Sequence, residues 1–466
     1  MDRADIDSAD TDGANGGEAD GLAAPMRYWA IVSVGMAIAM TVLDSSIANV
    51  ALPVIAHDFG ARPAESIWIV NAYQLAIVIS LLPLASLGEI IGFRRVYQGG
   101  LAVFTLASLA CALSHSLPML TAARTLQGFG AAGVMSVNGG LVRFIYPHRL
   151  LGRGIGLNAM VVSASAAVGP SVASAILALG PWPWLFAVNI PIGLAALALA
   201  AFALPANPLS GRKFDWVSAL LNALVFGLVI TGVDVVTRTS SKILGLIEIG
   251  AGALFGILLV RREWPRRRPL VPFDLLRARM FTLSVVTSVA SFAAQMLAFV
   301  SLPFHFENSL HKSQVATGLL MTPWPVAVAV MAPVAGWLSD KISVAILCAL
   351  GLVAFAGGLA GLAILPADAS ALDIGWRMAL CGAGFGLFQS PNNRMMLTAA
   401  PRERAGAAGG MLGTARLTGQ TVGAVLTAIF LELLAGKGEI AALAAAAIFA
   451  LAAAGFSALR LARPRS

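Results

Sequence analysis

Charge is what this sequence has least of. Charged side chains make up 12% of its 466 residues while 58% are hydrophobic, and a soluble domain carries about 25% charged residues. No globular core hides that much apolar side chain from water, so a bilayer must be the solvent for most of the chain. Cysteine is scarce as well. Cys111, Cys348 and Cys381 stand far apart in apolar stretches, which excludes a disulfide framework and a CxxC metal site. The five histidines are scattered, and no metal centre is expected. A GxxxxGK[ST] phosphate loop is missing, so ATP-driven work by this chain alone is not expected. The run Gly128–Gly133 does spell GxGxxG. A dinucleotide site needs a strand before it and an acid about 20 residues on. Here an apolar helix precedes it and the next acid is Asp215. With no clustered nucleophile, metal ligand or acid–base pair, an enzyme is not expected either.

What the sequence has instead is a series of apolar runs. A membrane helix needs roughly 20 such residues. Fourteen segments qualify, near 28–50, 66–88, 96–114, 118–141, 155–178, 183–204, 216–236, 242–260, 281–304, 315–337, 343–364, 373–393, 407–433 and 439–460. Lysine and arginine bias sets their direction. With the N-terminus inside, alternate loops and tails hold Arg94, Arg95, Arg143, Arg149, Arg153, Arg212, Lys213, seven arginines from Arg261 to Arg279, Lys341, Arg394, Arg402, Arg404, Arg460, Arg463 and Arg465. Arg3 and Arg27 add to the same side. The opposite loops hold Arg62, Arg238, Lys242, Lys312 and Lys437. Both termini are therefore expected in the cytoplasm, which requires an even number of spans. The net charge of +8 belongs to these short loops, and a nucleic-acid partner is not expected.

Residues 1–27 form an acidic, Ala/Gly-rich zone expected to be a disordered cytoplasmic tail. It lacks the basic start and short apolar run of a secretory leader. The remaining chain divides into a six-helix bundle at 28–205, two extra helices with a basic loop at 206–280, and a second six-helix bundle with a short basic tail at 281–466. The halves echo each other. Ala85-Ser86-Leu87-Gly88-Glu89-Ile90-Ile91-Gly92-Phe93-Arg94-Arg95 follows the second span, and Gly336-Trp337-Leu338-Ser339-Asp340-Lys341-Ile342-Ser343 follows the tenth. Each places a small residue, a leucine and a carboxylate at a basic helix end. Such repeats mark transporters whose two bundles rock about a central site.

Four stretches carry a family resemblance covering about residues 28 to 460. They are Leu43-Asp44-Ser45-Ser46-Ile47-Ala48-Asn49-Val50-Ala51-Leu52-Pro53, the loop after the second span, Arg124-Thr125-Leu126-Gln127-Gly128-Phe129-Gly130-Ala131-Ala132, and Gly156 with Ser165, Gly169 and Pro170 in the fifth span. Together they resemble the major facilitator superfamily in its fourteen-helix drug:proton antiporter branch. The loop departs from the family pattern with Ala85 for Gly, Glu89 for Asp and Ile90 for Arg. The fifth span departs with Ser165 and with Ala173-Ser174 for its closing glycines. The resemblance implies an all-α polytopic membrane protein of two six-helix bundles plus two central helices. It also implies export of hydrophobic or cationic small molecules by alternating access, with no cofactor beyond the proton gradient, by a single chain in a bacterial inner membrane. Abundant alanine and arginine also suit a bacterial source. The rivals are a transporter of one metabolite and a non-transporting membrane sensor.

An ionisable group at membrane depth is costly and is a functional candidate by default. Asp44 and Arg124 each lie about six residues from the outer end of a span, or ~9 Å at the helical rise. They share a depth. Thr41, Asp44 and Ser45 fall on one helix face, as do Arg124 and Gln127, and Thr41, Ser45, Asn71 and Gln127 are candidates for a cavity or substrate contact. Asp44 is expected to exchange the coupled proton and Arg124 to tune it; the bland alternative is a static ion pair. Glu248 in the eighth span has either a cavity or a neighbouring helix to face. Asp234, Glu307 and Glu432 read as solvated helix ends. Asn71 stands where drug-exporting relatives often carry an acid. Cavity walls are expected from Phe292, Gln295, Met296 and Phe299 in the ninth span and from Phe385, Phe388, Gln389 and Asn392 in the twelfth, although such stripes also suit packing. Glu89, Gly92, Arg94 and Arg95, with Asp340 and Lys341, are expected at a cytoplasmic gate, the carboxylates latching beside their basic neighbours. Gly156, Ser165 and Gly169 allow close helix approach, Pro170 favours a bend, and Trp324 between two prolines marks a break in the tenth span.

Overall fold

The computed structural model describes residues 21–461 apart from 62, 67, 239–241, 267–268, 313, 367 and 435–436. Most of the acidic tail, together with Arg62, Arg267, Arg268, Arg463 and Arg465, lies outside the described residues. So do the side chains of Pro170, Asp234 and Glu432.

Among the described residues, no strand occurs and fourteen helices have fifteen residues or more. We number them α1 (Met26–Asp58), α2 (Trp68–Ile91), α3 (Phe93–Ala112), α4 (Leu117–Ile145), α5 (Leu151–Leu179), α6 (Asn189–Ala203), α7 (Trp216–Arg238), α8 (Lys242–Glu263), α9 (Arg279–Phe304), α10 (Pro323–Leu338), α11 (Val344–Ala363), α12 (Ala371–Ala399), α13 (Ala405–Leu433) and α14 (Gly438–Ala458). Among the described residues, nine helical spans are long and apolar enough to cross a membrane, or ten if the bent α5 counts as one. The helices that miss that test, α3, α4, α12 and α13, hold glycines and interior charges such as Arg124 and Arg416. A helix that faces protein on most sides needs less apolar surface than one facing lipid. α7 and α8 show the converse, with only 17% of their apolar windows buried.

Local chemistry sets the helix ends. Ser116 caps α4, its hydroxyl accepting from the Met119 amide at 3.4 Å, with Pro118 in the first turn. Gly92 separates α2 from α3 at φ +108°, a conformation that a side chain disfavours. Glycine offers no capping oxygen, and Asn207 supplies one from outside by accepting from the Phe93 amide at 2.6 Å. α5 bends by 46° between His148–Ala166 and Ser171–Leu179, at the stretch that holds Pro170. Helix Gln314–Met321 stops at Thr322 before α10 begins, beside Pro323 and Trp324.

α1–α6 pack on one another, as do α9–α14, while α7 pairs with α8 and touches α2. Each half contains the same glycine crossing. A Cβ on Gly130 of α4 would stand 2.4 Å from the Phe104 nitrogen of α3, and one on Gly384 of α12 would stand 2.5 Å from the Phe355 nitrogen of α11. The halves meet toward the arginine-rich ends of their helices. There Gly152 and Gly156 of α5 press on Gly336 and Ala332 of α10, Gly139 of α4 on Gly409 of α13, and Gly406 and Gly410 of α13 on Ala85 of α2. An apolar seam built from Val142, Ile155, Phe281, Leu397 and Met411 continues the contact. The basic end is thus closed.

Candidate functional site

Asp44 of α1 and Arg124 of α4 meet inside the first half. Arg124 Nη1 donates to Asp44 Oδ2 at 2.5 Å, and both side chains are buried, at 0% and 1% exposure. Amides complete the shell. Gln127 Nε2 and Asn189 Nδ2 each donate to Asp44 Oδ1 at 2.9 Å. Arg124 Nη1 also donates to Gln127 Oε1 at 2.6 Å, and Gln127 Nε2 to Ser108 Oγ at 2.8 Å. The guanidinium lies 4.1 Å from the Tyr73 ring centroid and 5.5 Å from that of Phe186, which suits a desolvated cation. Arg124 Nη2 has no hydrogen-bond partner among the described residues. In this conformation the pair is sealed from solvent. Its link to the open interior is Thr41, one turn along α1, whose carbonyl accepts from Tyr73 Oη at 3.3 Å.

Thr41 lines a central cavity of about 130 Å³ between the halves, with Asn138, Asn158, Phe292, Gln389, Asn393 and Arg416 among its walls. A drug-sized ligand occupies about 300–1,000 Å³, so this closed conformation holds part of such a site. Of the eight aromatic and polar residues expected from the ninth and twelfth spans, Phe292 and Gln389 line the cavity. The other six lie elsewhere, contrary to expectation. Phe385 and Phe388 are core, stacked edge-on at 5.7 Å. Asn392 is buried, donating to Ser288 Oγ at 2.8 Å and accepting from Arg460 Nη2 at 2.8 Å. Phe299 packs on Trp324 at 4.8 Å, and Gln295 and Met296 are outside the cavity wall. Helical spacing puts residues on one face without saying what that face meets. Ser45 accepts from Gln74 Nε2 at 3.3 Å, Asn71 is half-buried at the outer end of α2, and neither lines the cavity.

The basic end carries a second ion-pair network. Glu89 is buried and pairs across the halves with Arg404 at 3.1 Å and with Arg212 at 2.9 Å, while its other oxygen accepts from the Ala407 amide at 2.7 Å. Arg404 also holds Asp274 at 2.8 Å. The expected neighbours of Glu89 do something else. Arg94 donates to the carbonyls of Ala201 and Leu204, and Arg95 to that of Ile91 at 3.2 Å. The turn at Gly92 swings them away. In the second half Asp340 faces Arg394 at 2.9 Å and Arg153 of α5 at 3.8 Å, whereas Lys341 lies over the Trp337 ring at 4.0 Å.

In α5, Ser165 is buried and Gly169 approaches α1, where a Cβ would stand 2.5 Å from that of Ser46. Glu248 of α8 turns toward Gly232 of α7 and keeps one oxygen buried without a partner. Sequence reasoning missed Asn189, Arg404 and Arg416. The first two carry no local signal. Arg416 does: it sits inside the expected span 407–433, where the rule applied to Arg124 holds equally.

The Major Facilitator Superfamily model matches residues 34–424. The chain is 53% identical over 451 residues, covering 96% of itself and 99% of the relative, to the uncharacterized transporter YebQ of Escherichia coli K12. It is 31% identical over 393 residues, covering 84% and 85%, to the riboflavin transporter RibZ of Clostridioides difficile. It is 30% identical over 400 residues, covering 84% and 74%, to the multidrug resistance protein Stp of Mycobacterium tuberculosis. Among solved structures, the human transporter MFSD10 superposes with a TM-score of 0.68 over 93% of this chain and 100% of its own at 13% identity, a likeness of fold alone. With its two packed helical halves and membrane-length helices, the chain is a multi-pass membrane transporter and belongs to the Major Facilitator Superfamily.

Proposed function

We propose that this transporter exports hydrophobic small molecules in exchange for protons, by alternating access across a bacterial plasma membrane, with a single chain sufficing. The observation that carries the reading is the buried Asp44–Arg124 pair with its amide shell. Removing one member of a buried ion pair costs about 3–5 kcal/mol, and protonating Asp44 weakens the pair without removing an atom. A neutral Asp44 releases Arg124 and the amides of Gln127 and Asn189. Tyr73, stacked on Arg124 and bonded to the Thr41 carbonyl, then couples that release to the cavity wall. The Glu89–Arg404–Arg212 latch holds the basic end shut in the conformation described and must part for the opposite one.

Similarity to a multidrug resistance protein favours broad export. A second reading, transport of one metabolite, is favoured by the amides of Asn138, Asn158, Gln389 and Asn393 around the cavity, since placed polar groups select one ligand, and by similarity to a riboflavin transporter. The test is proteoliposome transport of a dye panel and riboflavin under an imposed pH gradient, in wild type and Asp44→Asn. Gradient-driven transport of several unrelated compounds, abolished by the substitution and by protonophore, is expected. Transport of riboflavin alone selects the second reading, and gradient-driven transport at wild-type rate in Asp44→Asn removes the proton role.

A further inference from the structure

Among the described residues, the interior arginines have partners, with one exception. Arg124 is neutralised by Asp44, Arg377 pairs with Asp373 at 3.1 Å, and Arg460 donates to Asn392 Oδ1 and Thr287 Oγ1 at 2.8 and 2.7 Å. Arg416, in the middle of α13, is a wall residue of the central cavity. It makes no hydrogen bond or ion pair with any described residue, and its Nε is buried without a partner. No acid is among the described residues lining that cavity, so Arg416 is its sole charged group there. An unpaired guanidinium deep in a bundle is costly. Its planar fork of donors matches the two oxygens of a carboxylate. Asn138, whose buried Oδ1 is also unpartnered, and the amides of Asn158, Gln389 and Asn393 supply further polar contacts on the same wall. Phe292, Met135, Ile155 and Leu412 supply an apolar surface beside them.

We infer that the cavity binds an amphipathic organic anion, its carboxylate or equivalent planar oxyanion on Arg416 and its apolar body against Phe292 and the aliphatic wall. The inference rests on the cavity being the transport pathway proposed above, and it puts an anionic class where hydrophobic or cationic molecules were expected. A cationic ligand finds no acid to meet there among the described residues.

The test is a thiol introduced by Asn393→Cys on the cavity wall; the native Cys111, Cys348 and Cys381 are buried and give little background. The thiol is reacted with the anionic reagent sulfonatoethyl methanethiosulfonate and with its cationic trimethylammonium counterpart, and each rate is divided by that of a free thiol. The anion should be favoured about tenfold, the lower range of electrostatic focusing by a charged cleft. Arg416→Lys should keep the preference and Arg416→Gln should erase it. In the Arg416 parent, 1-naphthylacetate should protect the thiol at about tenfold lower concentration than 1-naphthylacetamide, a readout that survives if a variant folds poorly. A preference unchanged by Arg416→Gln, a cation preference, equal protection by the two ligands, or no reaction with either reagent overturns the inference. No gradient is needed, so the labelling ratio in the Arg416 parent is read independently of proton coupling. Absence of proton-driven transport in the wild type with the ratio intact sinks the coupling proposal alone.

Discussion

The two halves of the molecule fill equivalent interiors with opposite chemistry. Where α3 and α4 cross, the first half buries Asp44, Arg124, Gln127, Asn189 and Ser108 in one bonded network. Where α11 and α12 cross, the second half buries rings: Trp324 against Phe355 at 5.4 Å, Phe355 against Phe385 at 5.5 Å and Phe292 against Phe385 at 5.3 Å. The glycine crossings are alike, so backbone geometry does not explain the difference. An aromatic cluster has one protonation state and one good packing arrangement. An ion pair with two neutral amide donors around it has bonding that a proton on the carboxylate would change. The charged network thus lies in the first half and the rigid aromatic packing in the second, and both halves line the cavity.

Substitutions break this contrast in order of size. Arg124→Ala should be the most severe, leaving Asp44 buried without its cation. A loss of about 3–5 kcal/mol should appear as a large drop in thermal unfolding temperature in detergent, and transport should vanish. Phe355→Ala opens a cavity in the second half and should cost a similar or somewhat smaller amount, about 3–5 kcal/mol. Protein that survives should still respond to a pH gradient, which marks a packing role. Glu89→Gln keeps the shape of the latch but removes its charge, weakening it by about 1.5–3 kcal/mol. Spin labels at the basic ends of α4 and α13 should then report a larger open population, with little change in melting. Gln295→Ala should sit at the bottom of the scale, within about 0.5 kcal/mol and with unchanged transport, because Gln295 lies outside the cavity wall. A transport defect there as deep as that of Phe292→Ala would redraw the cavity.

The sequence revealed the membrane helices and the Asp44–Arg124 meeting because apolar runs and buried charges are local signals. Spacing along two helices was enough to set equal depth. It was not enough for Asn189, a neutral residue at the start of α6, or for Arg404, which reaches Glu89 from 315 residues away. Nearness in sequence pointed instead to Arg94 and Arg95, and one left-handed glycine sent them elsewhere. The aromatic stripes misled for another reason. Phe385 and Gln389 are a turn apart on α12, yet one faces the core and the other the cavity, and periodicity carries no information about which neighbour each meets. Arg416 was legible throughout, a charge inside an apolar span.

The most direct measurement of the central claim is infrared difference spectroscopy of the reconstituted protein across a pH jump. Wild type should gain a protonated-carboxyl band that Asp44→Asn lacks, and the band should shift in Asn189→Ala as Asp44 loses a donor. A wild-type band that persists unchanged in Asp44→Asn would contradict the account and leave the buried pair a fixed strut.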